Sequence, residues 1–356
     1  MVSTELSPEL IPGLPEEIGL ECLLRFHYST HLTAARVCRR WKQLLQSRDF
    51  YYLRKQTGFT QRAACLVQLF TGCSDSDGSK TVGPPTYGIT VFDPVSGIWG
   101  RVDPVPKYPY GLPLFCQITS TEGKLVVMGG WDPSSYEAVR DVFIYEFTTQ
   151  RWRQGKQMPG TRSFFAAGGF EGRVVVAGGH DENKNALSTA WEYDISGDEW
   201  TELSRMSQER DECEGMVIGS EFWVVSGYRT DNQGGFEGSA EYMDLRRRRR
   251  GEWSRVEEAW KGSLCPSPRS CVGVGKEKEL FYWGDCYSGI RVGACAVALG
   301  EWTLVSGSPY QGGPQCFFLV HSYSYSHSRT HGQIFNTIHA PLHFSGFVQS
   351  ACSLDI

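Results

Sequence analysis

"KLVVMGGWDPSSYEAVRDVFIYEFTTQRW" runs from Lys124 to Trp152, and "RVVVAGGHDENKNALSTAWEYDISGDEW" from Arg173 to Trp200. Each opens on a short apolar run that stops at a glycine pair, Gly129–Gly130 and Gly178–Gly179. A short apolar run bounded by glycine reads as a buried strand. A second strand then carries a tyrosine (Tyr145, Tyr193), and a tryptophan follows it. The pattern spreads in both directions. "WVVSGY" supplies Gly227 with Tyr242 and Trp253, and "LFYWGD" supplies Gly284 with Trp302. Upstream, "YGITVFDPVSGIW" ends at Trp99 with Phe92 in the tyrosine slot. The five tryptophans are 53, 48, 53 and 49 residues apart, and in three units the aromatic residue precedes its tryptophan by seven. A fixed period of about 50 residues marks an array of small, similar sheets rather than one large one.

This pattern resembles the kelch repeat, in which each unit is one four-stranded blade of a β-propeller. Glycine pairs permit a tight exit from a strand near the channel, and flat Tyr and Trp rings suit the space between twisted sheets. Residues 65–356 number 292, enough for six blades at about 50 each. The expected fold is thus an all-β propeller with regular repeats to about residue 305. An irregular, degenerate sixth blade is expected over 306–345, and the C-terminal strand, 346–356, returns to complete blade one. "HSYSYSHSRTHGQ" in the sixth unit is polar, low in complexity and without tryptophan.

The front of the chain is different. Residues 1–9 read as an extension, 10–55 as a helical module and 56–64 as a linker. Pro15 with Glu16 and Glu17 suits a helix start, where carboxylates meet the positive end of the dipole. Ile18, Cys22 and Phe26 recur at helical spacing, Ser29 or Thr30 can cap a second helix, and Trp41, Leu44 and Leu45 carry a third. Three helices in about 45 residues cannot bury this much apolar surface among themselves, so a partner is expected. The order Leu-Pro-acid, Leu-Leu, Val-Cys-x-x-Trp, Phe resembles the F-box, and "GLPEEIGLECLLR" ahead of kelch repeats is similar to plant F-box/kelch-repeat proteins. The residues that carry the match are Leu14, Pro15, Glu16, Leu23, Leu24, Leu32, Val37, Cys38, Trp41, Leu45 and Phe50. The resemblance implies that all of these but Phe50 bind the adaptor subunit of an SCF-type cullin-RING ubiquitin ligase. The propeller would then capture a target protein for ubiquitination and proteasomal degradation. It also implies candidate targets: phenylalanine ammonia-lyase, hence control of phenylpropanoid synthesis, or type-B response regulators of cytokinin signalling. A kelch scaffold for cytoskeletal or signalling proteins, without ubiquitination, is the alternative.

Composition narrows the remaining classes. A net charge of −5 gives no electrostatic case for nucleic acid, and no run reaches the ~18 apolar residues of a membrane helix. The twelve cysteines are scattered without C-x-x-C, several inside strands such as "CLVQLF", which fits buried, reduced thiols in the cytoplasm or nucleus. Of eight histidines, only His180 falls in the regular blades, so neither acid–base catalysis nor a metal or other cofactor is expected. The run Arg246–Arg250 reads as a solvated insertion, with a nuclear-import or acidic-partner role as the alternative. The expected target face is one rim of the channel. Arg162, Arg210 and Arg269 precede inner strands, and Trp131, Asp132, His180, Asp181, Tyr228 and Arg229 follow the glycines, with Asp285 in the fourth unit. Arginines and aromatics are typical binding anchors. Each arginine has a second reading as a structural cap on neighbouring carbonyls. A ring of exposed arginines would select a partner that carries carboxylates.

Overall fold

The computed structural model describes residues 9–70, 85–247, 251–259, 272–274, 280–282, 288–321 and 335–356. Four α-helices come first: α1 (Glu16–Leu24), α2 (His31–Ala34), α3 (Arg39–Leu45) and α4 (Arg48–Thr57). Three were expected. The fourth starts at Ser47, whose hydroxyl accepts from the Phe50 amide at 3.1 Å, and stops at Gly58 in the left-handed region, φ 75°. Those are ordinary helix start and stop signals. Because α4 reaches Thr57 and the first strand begins at Arg62, only residues 58–61 connect helices to sheet.

The strands in chain order are β1 (Arg62–Leu69), β2 (Tyr87–Phe92) and β3 (Trp99–Arg101); β4 (Gln117–Thr121), β5 (Lys124–Met128), β6 (Val142–Glu146) and β7 (Arg151–Gly155); β8 (Ala166–Phe170), β9 (Arg173–Ala177), β10 (Ala190–Asp194) and β11 (Glu199–Glu202); β12 (Glu214–Ile218), β13 (Glu221–Val225), β14 (Ala240–Asp244) and β15 (Ser254–Val256); β16 (Val272–Val274) and β17 (Leu280–Tyr282); β18 (Val292–Leu299), β19 (Trp302–Ser308), β20 (Cys316–His321) and β21 (Phe335–Ile338); and β22 (Val348–Asp355). They form antiparallel sheets in the orders β22-β1-β2-β3, β4 to β7, β8 to β11, β12 to β15 and β18 to β21. The last strand does complete the first blade: Cys65 stands opposite Cys352, and Arg62 opposite Asp355 with Nε–Oδ1 at 2.6 Å.

Two expectations need correction. Among the described residues there are five four-stranded blades rather than six, and β16 and β17 pair alone as a two-stranded sheet. The unit expected to be degenerate is instead four-stranded, β18 to β21. The repeat was misframed at Trp302, which opens the second strand of its blade opposite Leu299 and His321, not the fourth.

Strict alternation explains why these strands are apolar throughout. In β5, Leu125 and Val127 enter one core layer while Val126 and Met128 enter the next. In β9, Val174 and Val176 face back, and Val175 and Ala177 face forward. Successive side chains point to opposite faces, and both faces are covered by neighbouring blades. The Tyr145–Trp152 and Tyr193–Trp200 rings are cross-strand neighbours, 5.0 and 4.9 Å between centroids. Three of the repeat tryptophans also reach the previous unit: Trp152 Nε1 donates to the Asp103 carbonyl, Trp200 to Lys156 and Trp253 to Ser204, at 2.7, 2.9 and 2.7 Å. In the fourth blade the tyrosine slot belongs to Met243, opposite Phe222 as Tyr193 is opposite Val174; Tyr242 stacks on Trp223 instead. The glycine pairs act as expected. Gly130 has φ 88°, and a Cβ there would lie 2.5 Å from the Leu114 carbonyl oxygen. At the inner strands, a Cβ on Gly169 would lie 1.9 Å from the Ser120 carbonyl, so the blades meet there backbone to backbone.

Candidate functional site

The helical unit has its own core. Leu23, Leu24, Ala34, Leu45 and Phe50 are at most 5% exposed, with Leu10 packed among them. This corrects the expectation that Leu23, Leu24 and Leu45 contact the adaptor. Leu23, Leu24 and Leu45 hold the helices to each other and have no surface to offer. What remains outside is a smaller set. Ile18 is 50% and Val37 63% exposed, Pro15, Glu16 and Cys38 are exposed, and Leu14, Leu32 and Trp41 are half-buried. A Glu16–Arg40 ion pair ties the start of α1 to the start of α3, and Trp41 Nε1 donates to the Leu10 carbonyl at 2.7 Å. Pro15 and the Val37–Cys38 turn therefore share one end of the unit. Cys38 caps α3, its sulfur accepting from the Trp41 amide at 3.4 Å.

The helices are fixed to the propeller at one rim. Buried Arg54 donates to the carbonyls of Leu24, Phe26 and Phe59 and, at 3.3 Å, to that of Ile356 beyond β22. Burial draws its pKa down to about 10, so it stays charged at neutral pH. Glu122, in the β4–β5 turn, accepts from Tyr52 Oη at 2.7 Å and from Arg48 Nη2 at 2.7 Å. His27 Nε2 meets Asp93 at 3.1 Å, and Tyr28 packs edge-on against Phe147. These propeller residues lie at the turns joining first to second and third to fourth strands. In an antiparallel blade the connections from second to third strand, and from blade to blade, lie at the other end, about 17 Å away for five-residue strands. The opposite rim is therefore clear of the helices.

On that opposite rim the expected arginines behave otherwise. Arg162 is 5% exposed and donates to the Gly178 carbonyl and to the Thr189 carbonyl and Oγ1, the latter two at 3.1 and 2.6 Å. Arg210 is fully buried and donates to the Ser226 and Ser239 carbonyls, Ser239 Oγ and Glu241. Burial lowers both pKa values, Arg162's to about 10. Both are structural caps inside their own blades, so the target-binding assignment fails for them. Arg269 and Asp285 lie outside the described residues, as do Arg248–Arg250. Arg229 is exposed and pairs with Asp231 two residues on, at 2.7 Å. Arg247 is 84% exposed beside Asp244, a solvated turn.

The residues after the glycines do come together, in company the sequence reading missed. Phe115 and Phe164 precede the inner strands β4 and β8 and take left-handed φ values of 59° and 56°. Their rings stack at 4.5 Å, with Trp131 5.7 and 6.3 Å from them. A bulky residue with positive φ is a strained outlier, held only where its surroundings over-determine it. His180 is 6% exposed, its ring 5.2 Å from Phe164 and 6.0 Å from Trp131. Its Nδ1 lies 2.9 Å from both oxygens of Asp211, and its Nε2 is buried without a partner among the described residues. Asp132 and Asp181 accept from their own loops' amides, Ser134 and Asn183 among them. Burial pushes Asp181 up, but the Asn185 and Asn183 donors outweigh it and hold it below its ordinary value. Tyr228 is buried, its hydroxyl 3.3 Å from Glu212. The spacing of 49 between Phe115 and Phe164 is the signal that would have marked them.

A propeller with paired glycines and inter-blade tryptophans, carrying a four-helix unit on one rim, defines a kelch propeller with an F-box. The comparisons agree. The F-box domain family matches residues 11–53, and the kelch motif family matches 114–159 and 161–207. The F-box/kelch-repeat protein At1g80440 of Arabidopsis thaliana is 40% identical over 272 residues, 75% of each chain. The Arabidopsis F-box/kelch-repeat protein SKIP20 is 36% identical over 311 residues, covering 77% of this chain and 73% of its own. Among solved structures, that of YjhT aligns with a TM-score of 0.51 at 14% identity over 72% of this chain and 95% of its own, a likeness of fold. The chain belongs to the F-box/kelch-repeat proteins.

Proposed function

We propose that this chain is the substrate-recognition subunit of an SCF-type cullin-RING ubiquitin ligase, working in the cytoplasm or nucleus. The helical unit docks the adaptor, and the propeller holds a target protein. The observation that carries this reading is the helical unit itself. It is closed internally and anchored to one rim through Arg54 and Glu122, yet keeps Ile18 and Val37 exposed at 50% and 63%. Both residues fall within the F-box match at residues 11–53, which supports reading them as part of the adaptor-docking surface. The rigid anchor supports a mechanical role. A target held on the far rim stays at a fixed offset from the ligase, which raises the effective concentration of its lysines at the transfer site. In this reading the chain is non-catalytic, and the transfer chemistry belongs to the ligase and its conjugating enzyme.

Likeness to the plant subgroup makes phenylalanine ammonia-lyase and type-B response regulators the first targets to assay. The test is co-purification with the adaptor subunit. An Ile18→Arg/Val37→Arg double variant, altered only at exposed positions, should lose the adaptor and retain the target captured by the parent chain. Retention of the adaptor at parent levels would overturn the docking assignment. A chain that captures targets but never the adaptor would instead be a kelch scaffold.

A further inference from the structure

We infer that the rim formed by Phe115, Trp131, Phe164 and His180 recognises a cationic side chain, arginine or lysine, on a segment of the partner protein. The inference rests on the receptor reading above and names the chemistry of what the propeller takes. It also reverses the expectation of an acidic partner, because two of the arginines behind that expectation, Arg162 and Arg210, are buried as structural caps.

Three independent features agree. The first is charge. The loops that overhang this rim, 131–139, 180–188 and 228–238, carry Asp132, Glu137, Asp181, Glu182, Asp231 and Glu237 against only Lys184 and Arg229. Carboxylates grouped around a concave mouth raise the local concentration of cations and steer them in. The second is the aromatic cluster. Three rings from two adjacent blades present π faces, two of them held there by strained backbone, and such faces attract cations, guanidinium most often. The chain's own Lys184 already shows the attraction, its ammonium 6.0 Å from the Trp131 centroid. The third is His180. A carboxylate only accepts, so a neutral imidazole paired with it through Nδ1 carries its proton there and leaves Nε2 as an acceptor. That atom is buried and unpartnered among the described residues, on a ring 5.2 Å from half-buried Phe164 and 6.0 Å from half-buried Trp131. A buried acceptor without a donor is costly, and an incoming N–H supplies what it lacks once either ring turns aside. Side-chain rotation of this kind is common at interfaces. Only a cationic N–H donor satisfies all three features together.

The test uses the purified full-length chain and four fluorescein-labelled 15-residue Gly/Ser peptides, carrying two arginines, two lysines, two citrullines or two glutamates. Anisotropy titrations should rank the arginine peptide at least about tenfold above the citrulline and glutamate ones, with affinity falling as salt rises. Glu137→Lys with Glu182→Lys, both exposed positions, should weaken arginine-peptide binding about tenfold, and Trp131→Leu should weaken it comparably. Lys184→Ala, which removes a competing cation, should strengthen it. Circular dichroism of each variant separates lost binding from lost fold. Equal binding of the citrulline peptide, preference for the glutamate peptide, no binding of any peptide at millimolar concentration, or indifference of well-folded variants would each overturn the inference. None of these outcomes touches adaptor capture, so the ligase reading and this one fail separately.

Discussion

Replacing Arg210 with methionine separates a structural arginine from a target-binding one. The guanidinium is fully buried. Nη1 donates to the Ser226 and Ser239 carbonyls at 2.8 and 3.1 Å, Nη2 to Ser239 Oγ at 2.9 Å, and Nε to Glu241 at 3.2 Å. Glu241 is likewise fully buried and accepts from the Ser207 amide at 2.7 Å. Methionine roughly preserves the volume but leaves the buried Glu241 carboxylate without its cation, while the Ser239 carbonyl keeps the Ser226 amide as a donor. Breaking one side of a buried ion pair costs about 3–5 kcal/mol. The expected loss is thus about 4 kcal/mol, or roughly 8 °C in melting temperature at about 2 °C per kcal/mol. Urea and thermal unfolding followed by tryptophan fluorescence measure it. Adding Glu241→Leu to Arg210→Met removes the stranded charge and should recover more than half of the loss. Exposed Arg229→Met should change stability by less than about 0.5 kcal/mol. An Arg210→Met protein as stable as the parent, with weakened target capture, would refute the structural assignment and restore the recognition one.

Gly130→Ala places a Cβ 2.5 Å from the Leu114 carbonyl oxygen at φ 88°, so it should destabilise by more than about 2 kcal/mol in the same unfolding assay. Trp200→Phe removes the 2.9 Å bond to the Lys156 carbonyl that ties the third blade to the second, and should cost about 1–3 kcal/mol of stability. Burial, with the Arg54 charge second, holds His31 down to about 4, against about 6.5 in an unfolded chain. Between those values the unfolded state binds the extra proton, so stability is complete above about pH 6.5 and falls as pH drops towards 4, by about 3 kcal/mol in all. His31→Leu should flatten that part of the pH–stability curve, and an unchanged slope in denaturant titrations at pH 4.5 and 7 would contradict the assignment.

What the sequence made legible follows from what kind of constraint each residue obeys. The glycine pairs and the inter-blade tryptophans repeat because backbone sterics and blade spacing repeat, so period alone located them. Trp302 broke the frame because an aromatic residue is equally at home opening a second strand, and nothing in its type says which. The arginines show a deeper limit. Arg162 and Arg210 stand before inner strands at the blade-to-blade connections, but the direction of a long side chain is decided by which carbonyls lie within its reach. Arg162 finds the Gly178 and Thr189 carbonyls, and Arg210 those of Ser226 and Ser239, in corresponding places one blade apart. The same logic split the helical residues. Sequence type marked Leu23, Leu24 and Ile18 alike as apolar, and the packing of Leu10, Ala34, Leu45 and Phe50 around the leucines puts them inside and leaves Ile18 outside. One consequence of the fold needed no side chain at all. Antiparallel blades send their turns alternately to two rims, so helices docked at the β4–β5 turn leave the Phe115 and Phe164 rim open on the far side. In the proposed reading, docking and capture fall at opposite ends of the ring, so the two sites do not overlap.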